Sequence, residues 1–325
     1  MREKRTVRKI VTLVLLVAWL VVAFIGYRLT HADSAGGLKT ITIGYQAGDE
    51  FDISKTRGEF AKKMKAKGYK VKFKEFSNGS AEMQALASGS IDYARTGDTP
   101  GVTALVSGTK LTYIAAGADK ANGSGILVKN DSVIDSLSDL KGKTIAYTKG
   151  TSSEYMLRMA LKKAGLSTSD VTLKNLDQSA ASVAYNNGEV DAWANWDPAT
   201  SQAEVTGNSK LLVNGKTLGV NNRSYLMAST SFAEDNEEAS RLIIKYANQD
   251  MQWANKHKSK VIKMMAKKLK LSTKVVTKMV NRRSYSWEAM TKATVKEEQE
   301  IADLFYQAKV ITKKVDISDH VQYLK

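Results

Sequence analysis

The sequence predicts a two-lobed α/β protein with a single apolar helix ahead of it. Three observations carry this: short strand-like runs alternate with helical patterns, one segment recurs at a constant spacing of 99 residues, and an uncharged apolar run follows a basic N-terminus. At 325 residues the chain is long enough for two lobes plus a leading segment, since single hydrophobic cores tend to split before this length. An apolar fraction of 43% and a charged fraction of 25% describe a body that folds in water, neither disordered nor polytopic.

The leading element is residues 10–27, which would span about 27 Å as a helix, close to the hydrocarbon thickness of a bilayer. Arg2, Lys4, Arg5, Arg8 and Lys9 precede it and hold the N-terminus in the cytoplasm, sending everything after Arg28 outside. The run is longer than the apolar region of most cleaved signals, which favours a retained membrane anchor. Ala32 and Ser34 offer the alternative of cleavage near residue 34 and secretion.

The formal charge of +16 leaves +12 beyond residue 37, a balance that favours anionic partners. Lysines cluster at 62–74 and 256–278, yet placement outside the membrane argues against nucleic acid, and lysines spaced along amphipathic helices form a solvated face. There is no cysteine, which excludes disulfides, thiolate metal sites, cysteine nucleophiles and a lipid-modified N-terminal cysteine.

After a linker at 33–37, strands are expected at 40–45, 70–76, 91–95, 111–115, 144–147, 171–175 and 191–195. Helices are expected at 58–67, 81–87, 153–164 and 180–186. This alternation is that of parallel α/β units. From residue 237 the pattern turns to long helices, at 239–256, 259–269 and 293–307, which form a layer on sheets built earlier.

The repeat aligns Ser80, Ala81, Ala85, Gly89, Ile91, Asp92 and Asp98 with Ser179, Ala180, Ala184, Gly188, Val190, Asp191 and Asp197. The only two prolines, Pro100 and Pro198, follow the two acidic loops, each fit for the first turn of a helix. Chance likeness of two generic units is the competing reading. Two similar lobes with ligand-facing loops at the carboxyl ends of corresponding strands is the reading adopted, because ligands bind there in open parallel sheets.

Catalytic constellations are absent. His31, His257 and His320 have no metal-type spacing to a carboxylate, and neither a G-x-S-x-G elbow nor a phosphate-cradling G-x-x-x-x-G-K-[ST] loop occurs. No metal and no cofactor is expected. What remains is polar loops between strands and helices. Thr151, Ser152 and Ser153 would aim N–H groups and hydroxyls at an anion at a helix N-terminus, or simply cap that helix. Thr96, Gly97, Asp98 and Thr99 stand in the same relation to the Pro100 helix. Asp197 is placed to cap the Pro198 helix or orient a neighbour, and of Trp193 and Trp196 only one should face the cleft if the segment alternates.

At these residues the chain resembles the aliphatic sulfonate-binding proteins of ABC importers, within a broader group of taurine, nitrate and thiamine-precursor binders. The similar segments are Ile43-Gly-Tyr-Gln46, Gly89-Ser-Ile-Asp92 running into Thr96-Gly-Asp98, Asp139-Leu-Lys-Gly142, Lys149-Gly-Thr-Ser-Ser153, Asp191-Ala-Trp-Ala-Asn-Trp-Asp-Pro198, and Ala302-Asp-Leu-Phe-Tyr306 with Lys313-Lys-Val-Asp316. They fall in order from residue 38 to about 317.

The resemblance implies a two-lobed type II periplasmic-binding-protein fold, with lobe 1 formed by 38–120 and 222–325, lobe 2 by 121–221, and residues 1–37 as stub, anchor and linker. It also implies that a sulfonate is held by Gln46, by Thr96, Gly97 and Asp98, by Thr151, Ser152 and Ser153, and by Trp196 and Asp197. Arg95 stands where the family usually has a small residue, Glu154 replaces what is often a histidine, and Ala199-Thr200 replaces an aromatic pair.

The expected protein is a monomeric solute-binding protein rather than an enzyme. Its partners are a small organic anion, an ABC permease and, through residues 10–27, the membrane, with no nucleic acid. The alternative on the same fold is a binder of nitrate, bicarbonate or a thiamine pyrimidine precursor. Thiamine pyrimidine synthases share the fold but look cysteine-rich near their site, and this chain has no cysteine.

Overall fold

The computed structural model describes residues 37–324, and the apolar segment 10–27 lies outside them. Eleven strands are described: β1 (Lys39–Gln46), β2 (Tyr69–Phe76), β3 (Tyr93–Thr96), β4 (Leu111–Gly117), β5 (Ser124–Lys129), β6 (Thr144–Tyr147), β7 (Thr172–Asn175), β8 (Ala192–Trp196), β9 (Ser209–Asn214), β10 (Tyr225–Ser229) and β11 (Trp287–Ala289). They form two sheets, ordered β11-β4-β10-β3-β1-β2 and β7-β6-β8-β5-β9.

Each sheet has the same parallel nucleus. In the first, β1 pairs in parallel with β2 and β3; in the second, β6 pairs in parallel with β7 and β8. All seven expected strands are present within two residues at either end. The four that sequence reading did not expect, β5, β9, β10 and β11, all pair antiparallel. An alternating strand–helix pattern reveals only strands joined by helical crossovers. β5 and β10 are also buried on both faces over most of their length, so they lack the alternation that marks a strand, and β11 has three residues.

The repeat is real in three dimensions. Asn78 and Asp177, 99 residues apart, cap equivalent helices, accepting from the N–H of Ala81 at 3.0 Å and of Ala180 at 2.8 Å. Asp92 and Asp191 each exchange a pair of bonds with the strand beside them. Their carboxylates accept from the N–H of Thr42 and Thr144 at 2.7 Å, and their own N–H groups donate to the carbonyls of the same two threonines.

The helix Glu237–Lys256 places Ile243, Ala247, Met251 and Ala254 on one stripe, which packs with Phe60 and Met64 on Ile41, Ile43 and Tyr45 of β1. The helix Lys292–Gln307 bridges the lobes: its Phe305 is fully buried and meets Tyr155 of the second lobe edge-on at 6.2 Å between ring centroids. Burial of one such phenylalanine contributes about 1.5–3 kcal/mol. Two connections cross between the sheets and bond each other, Lys120 N–H to Asn221 O at 2.9 Å and Gly117 N–H to Ser224 O at 2.8 Å. The carboxyl ends of β1, β3, β6 and β8 then face one cleft.

Candidate functional site

The cleft between the sheets has an empty volume of about 560 Å³. Four loops from the parallel strands reach it, and each is shaped by its own short-range hydrogen bonds.

At the end of β1, Gly48 turns with φ +80°, and Asp49 caps the helix Glu50–Arg57 by accepting from Asp52 N–H at 2.8 Å. This leaves Gln46 at the cleft, its amide Nε2 donating to Glu82 at 2.8 Å. Glu82 is fully buried, and burial with the nearby Asp49 raises its pKa well above the usual carboxylate range.

After β3, Gly97 lines the cleft. A Cβ there would sit 2.5 Å from Ser152 Oγ, so any larger residue would push that hydroxyl off its bond to Asp98. Thr96 is buried, spends its hydroxyl on Gly97 O at 2.8 Å and does not line the cleft. Asp98 does not line it either. Its Oδ1 accepts from Thr99 at 3.0 Å and from Ser152 of the other lobe at 2.6 Å.

After β6, Thr151 caps the helix Ser152–Lys163, and Thr151 and Ser152 line the cleft at its positive end. Ser153 turns inward, donating to Ala194 O at 2.7 Å, which ties the helix start to β8 rather than to the cleft. Glu154 holds the loop itself, accepting from Gly150 N–H at 2.9 Å and pairing with Arg158 at 2.8 Å.

After β8, Trp196 lines the cleft while Trp193 is buried against Tyr185, so the alternation assigns one tryptophan to each face. Asp197 accepts from Ser201 N–H at 3.0 Å, which holds the start of the helix Ala199–Thr206, and it also grips two arginines of the first lobe. Arg282 Nε donates to it at 2.9 Å, and Arg283 lies at 3.3 Å. Burial opposes its ionisation, but both guanidinium groups hold its pKa below the usual range.

Sequence reading missed most of the charge in the cleft. Arg95, Lys120 and Arg283 all line it, together with Ser124 and Asn222. Arg95 is compensated by Glu50 at 2.6 Å and Asp49 at 3.4 Å. Burial raises Glu50 less than Arg95 and Lys120 lower it, to about 2, whereas burial pushes Asp49 up to about 7. Lys120 donates to Ser224 at 2.5 Å, and burial followed by the neighbouring Arg95 pushes its pKa down to about 7. Arg283 has a side chain 5% exposed, and its Nε has no hydrogen-bond partner. A basic residue ending an otherwise apolar strand, as Arg95 does, was the one local signal available. Lys120 and Arg283 come from a crossing segment and from the loop after a C-terminal helix, and nothing in their neighbourhoods marks them.

The arrangement suits an anion: two cations without a full carboxylate partner, glycine and serine at a helix start, and lobes closed around them. Among the described residues no cluster of three or more His, Cys, Asp or Glu side chains is placed to hold a metal.

Residues 64–261 match the family model described as NMT1/THI5 like. The chain is 32% identical over 295 residues to a putative aliphatic sulfonates-binding protein of Bacillus subtilis, covering 89% of each chain. It superposes with a TM-score of 0.83 and 30% identity on the alkanesulfonate-binding protein SsuA from Xanthomonas axonopodis pv. citri bound to MOPS, over 89% of this chain and 99% of that one. The periplasmic aliphatic sulphonate binding protein SsuA from Escherichia coli gives 0.80 at 31% identity, over 87% and 97%. Family model, relatives and folds agree, and the chain belongs to the NMT1/THI5-like family.

Proposed function

We propose that this chain is the extracytoplasmic solute-binding protein of an ABC importer, that it captures an aliphatic sulfonate between its lobes, and that it performs no bond chemistry. The observation that carries the reading is Arg283. A buried guanidinium edge without a partner, lining a closed cleft beside Lys120, leaves a polar cost that an anionic oxygen would offset. Gln46, Gly97, Thr151, Ser152 and Trp196 complete the shell, with Ser124 and Asn222 from the crossing region. Thr96, Asp98 and Ser153 act behind them, setting loop shape and lobe closure, while Asp197 lines the cleft and holds Arg282 and Arg283. The names of the relatives support the ligand class and the periplasmic setting.

In this reading 38–120 with 222–325 moves as one lobe and 121–221 as the other, and the protein works as a monomer delivering its ligand to a permease. Residues 10–27 retain it at the membrane. Fractionation with N-terminal sequencing tests that part, and a soluble form beginning near residue 35 would remove it.

The ligand is tested by thermal shift with taurine, short alkanesulfonates, sulfate, nitrate, bicarbonate and thiamine precursors. Sulfonates of different chain length should all raise the melting temperature by mass action on the folded state. A shift with a neutral heterocycle alone would overturn the reading.

A further inference from the structure

Charge is divided unevenly between the lobes. Residues 121–221 carry ten basic and ten acidic side chains, whereas 38–120 with 222–325 carry 33 basic and 21 acidic ones. The whole excess therefore sits on the first lobe, and within that lobe on one side. The stretches 53–74 and 251–287 hold 20 of its basic residues and a single acid, Glu59. They meet at the end of β2. There Glu75 lies 3.4 Å from Lys268 of one stretch and accepts from the Tyr45 hydroxyl, which takes a bond from Lys55 of the other at 2.5 Å.

The arginines of these stretches turn inward, Arg57 to Asp250 and both Arg282 and Arg283 to Asp197. The lysines stay outside. In the helix Lys258–Leu269, Val261 and Met265 are buried, and Lys260, Lys263 and Lys267, with Lys270 at the C-cap, are exposed along the opposite stripe. None of these four has a hydrogen-bond or ion-pair partner among the described residues. Ser259 is the only other exposed residue of the helix. Lys258 and Lys260 in the first turn oppose the helix dipole, and like charges three and four positions apart repel, so the stripe is kept against the stability of its own helix. A face serving solubility alone mixes both signs, as the second lobe does. Lys70, Lys72 and Lys74, exposed along the edge strand β2, also block pairing with another chain, but the helix stripe guards no such edge.

We propose that this side of the first lobe docks on an anionic lipid bilayer. Its lysines are spread over helices and a strand edge and converge on no pocket. That suits a diffuse layer of phosphate headgroups, to which each hydrated ammonium near the surface adds its own increment of attraction. Leu269 of the same helix lies 3.4 Å from where a Cβ on Gly48 would stand, and Gly48 lines the cleft, so docking through this helix holds the cleft beside the bilayer. The choice of a bilayer rests on the extracytoplasmic placement proposed above and is independent of which anion the cleft binds.

The test is covalent lysine footprinting, read by mass spectrometry, of the full chain in nanodiscs of phosphatidylcholine alone and of phosphatidylcholine with phosphatidylglycerol. In the anionic discs at low salt, labelling of Lys260, Lys263, Lys267 and Lys270 should slow at least about threefold, and about 0.5 M salt should restore it. The exposed Lys141, Lys162 and Lys174 of the neutral lobe are the internal control and should keep their rates. With Lys260→Gln, Lys263→Gln, Lys267→Gln and Lys270→Gln combined, the slowing at Lys256 and Lys274 should shrink below about 1.5-fold. The melting temperature of this variant should not fall, and its shift with propanesulfonate should be kept, because none of the four lines the cleft. Equal labelling in the two lipids, slowing of the control lysines to the same extent, or slowing that survives the four substitutions would overturn the docking surface and leave the sulfonate reading standing. Slowing that appears in phosphatidylcholine only when the permease is present would also overturn it and assign the face to a protein partner. Failure of the sulfonate reading would show instead as a missing melting shift in the parent chain, whatever the footprint.

Discussion

Ser152 and Asp98 meet across the cleft, the serine hydroxyl of the second lobe donating to Asp98 Oδ1 of the first at 2.6 Å. Burial raises the Asp98 pKa, and the hydroxyls of Ser152 and Thr99 oppose that rise. The bond joins the positive start of one helix to the loop after β3, and it exists only when the lobes are shut. It is therefore part of the closing equilibrium as well as of the binding shell.

Ser152→Ala should lower ligand affinity about five- to hundredfold, the range for losing a hydrogen bond to a charged group. Combined with Asp98→Ala its effect should be non-additive, because each variant breaks the same bond. Combined with Thr96→Ala it should be additive, since the Thr96 hydroxyl is engaged by Gly97 O. Calorimetric titration of the variants checks this, and additivity with Asp98→Ala would show that the contact does not govern closure.

Gly97→Ala tests closure from the other side. Gly97 does not need a positive φ, so alanine fits the open backbone, yet its Cβ would lie 2.5 Å from Ser152 Oγ in the closed form. Affinity should fall at least about tenfold while the ligand-free melting temperature stays near that of the parent protein. Small-angle scattering should show that saturating ligand no longer compacts the molecule. Unchanged affinity would place the closed state elsewhere.

Lys120 should make binding pH-dependent. Its pKa is pushed down to about 7 by burial and by Arg95, with Arg283 adding to the fall and Glu50 and Asp98 opposing it. An anion in the cleft favours the charged lysine, so binding takes up a proton and weakens as pH rises above 7. Without ligand the sign reverses. The unfolded chain holds this proton up to about 10.5 and the folded one does not, so the Lys120 contribution makes the protein more stable as pH rises from 7 to 10.5. Titration at pH 8 in buffers of different ionisation enthalpy measures the proton uptake. It should fall in Lys120→Met, leaving only the share of Asp49, whose pKa also stands at about 7, and uptake that is unchanged there would assign it to another group.

Asp197→Asn should loosen the lobes. Arg282 and Arg283 of the first lobe both contact this carboxylate, while Glu204 keeps Arg282 at 2.6 Å and Lys278 at 3.1 Å. Removing one partner from such a buried cluster costs about 3 kcal/mol, and Arg283 loses its ion pair with Asp197. The Asp197 pKa is held below its ordinary value, so its contribution is present above about pH 4 and fades as pH falls through the lower folded value. The melting difference between parent and variant should accordingly shrink below pH 4, and a constant difference down to pH 2 would contradict the ion-pair account.

The parallel nucleus of each lobe was legible because hydrophobic periodicity is a local property. Thr144–Tyr147 falls where the alternation puts it, and the spacing of 99 between Asp92 and Asp191 recurs as the same pair of bonds to Thr42 and Thr144. Loop chemistry was legible too: Thr151 caps its helix, and Trp196 rather than Trp193 turns to the cleft. The helix Glu50–Arg57 escaped notice because it buries Glu50, Asp52 and Ser54, which no amphipathic stripe announces.

By itself the sequence determined seven of the eleven described strands and the long C-terminal helices, the two-unit plan, the absence of thiol chemistry and the polar character of the cleft loops, all of which are set by neighbours along the chain. Only the tertiary structure decided which charges meet. Arg95 is neutralised by Glu50 forty-five positions away, Lys120 is stripped of water in the crossing, and Arg283 arrives beside Asp197 with one nitrogen left unpaired. Desolvation and Coulomb interaction depend on distance in space and on exclusion of water, and neither is written in the order of residues along a strand.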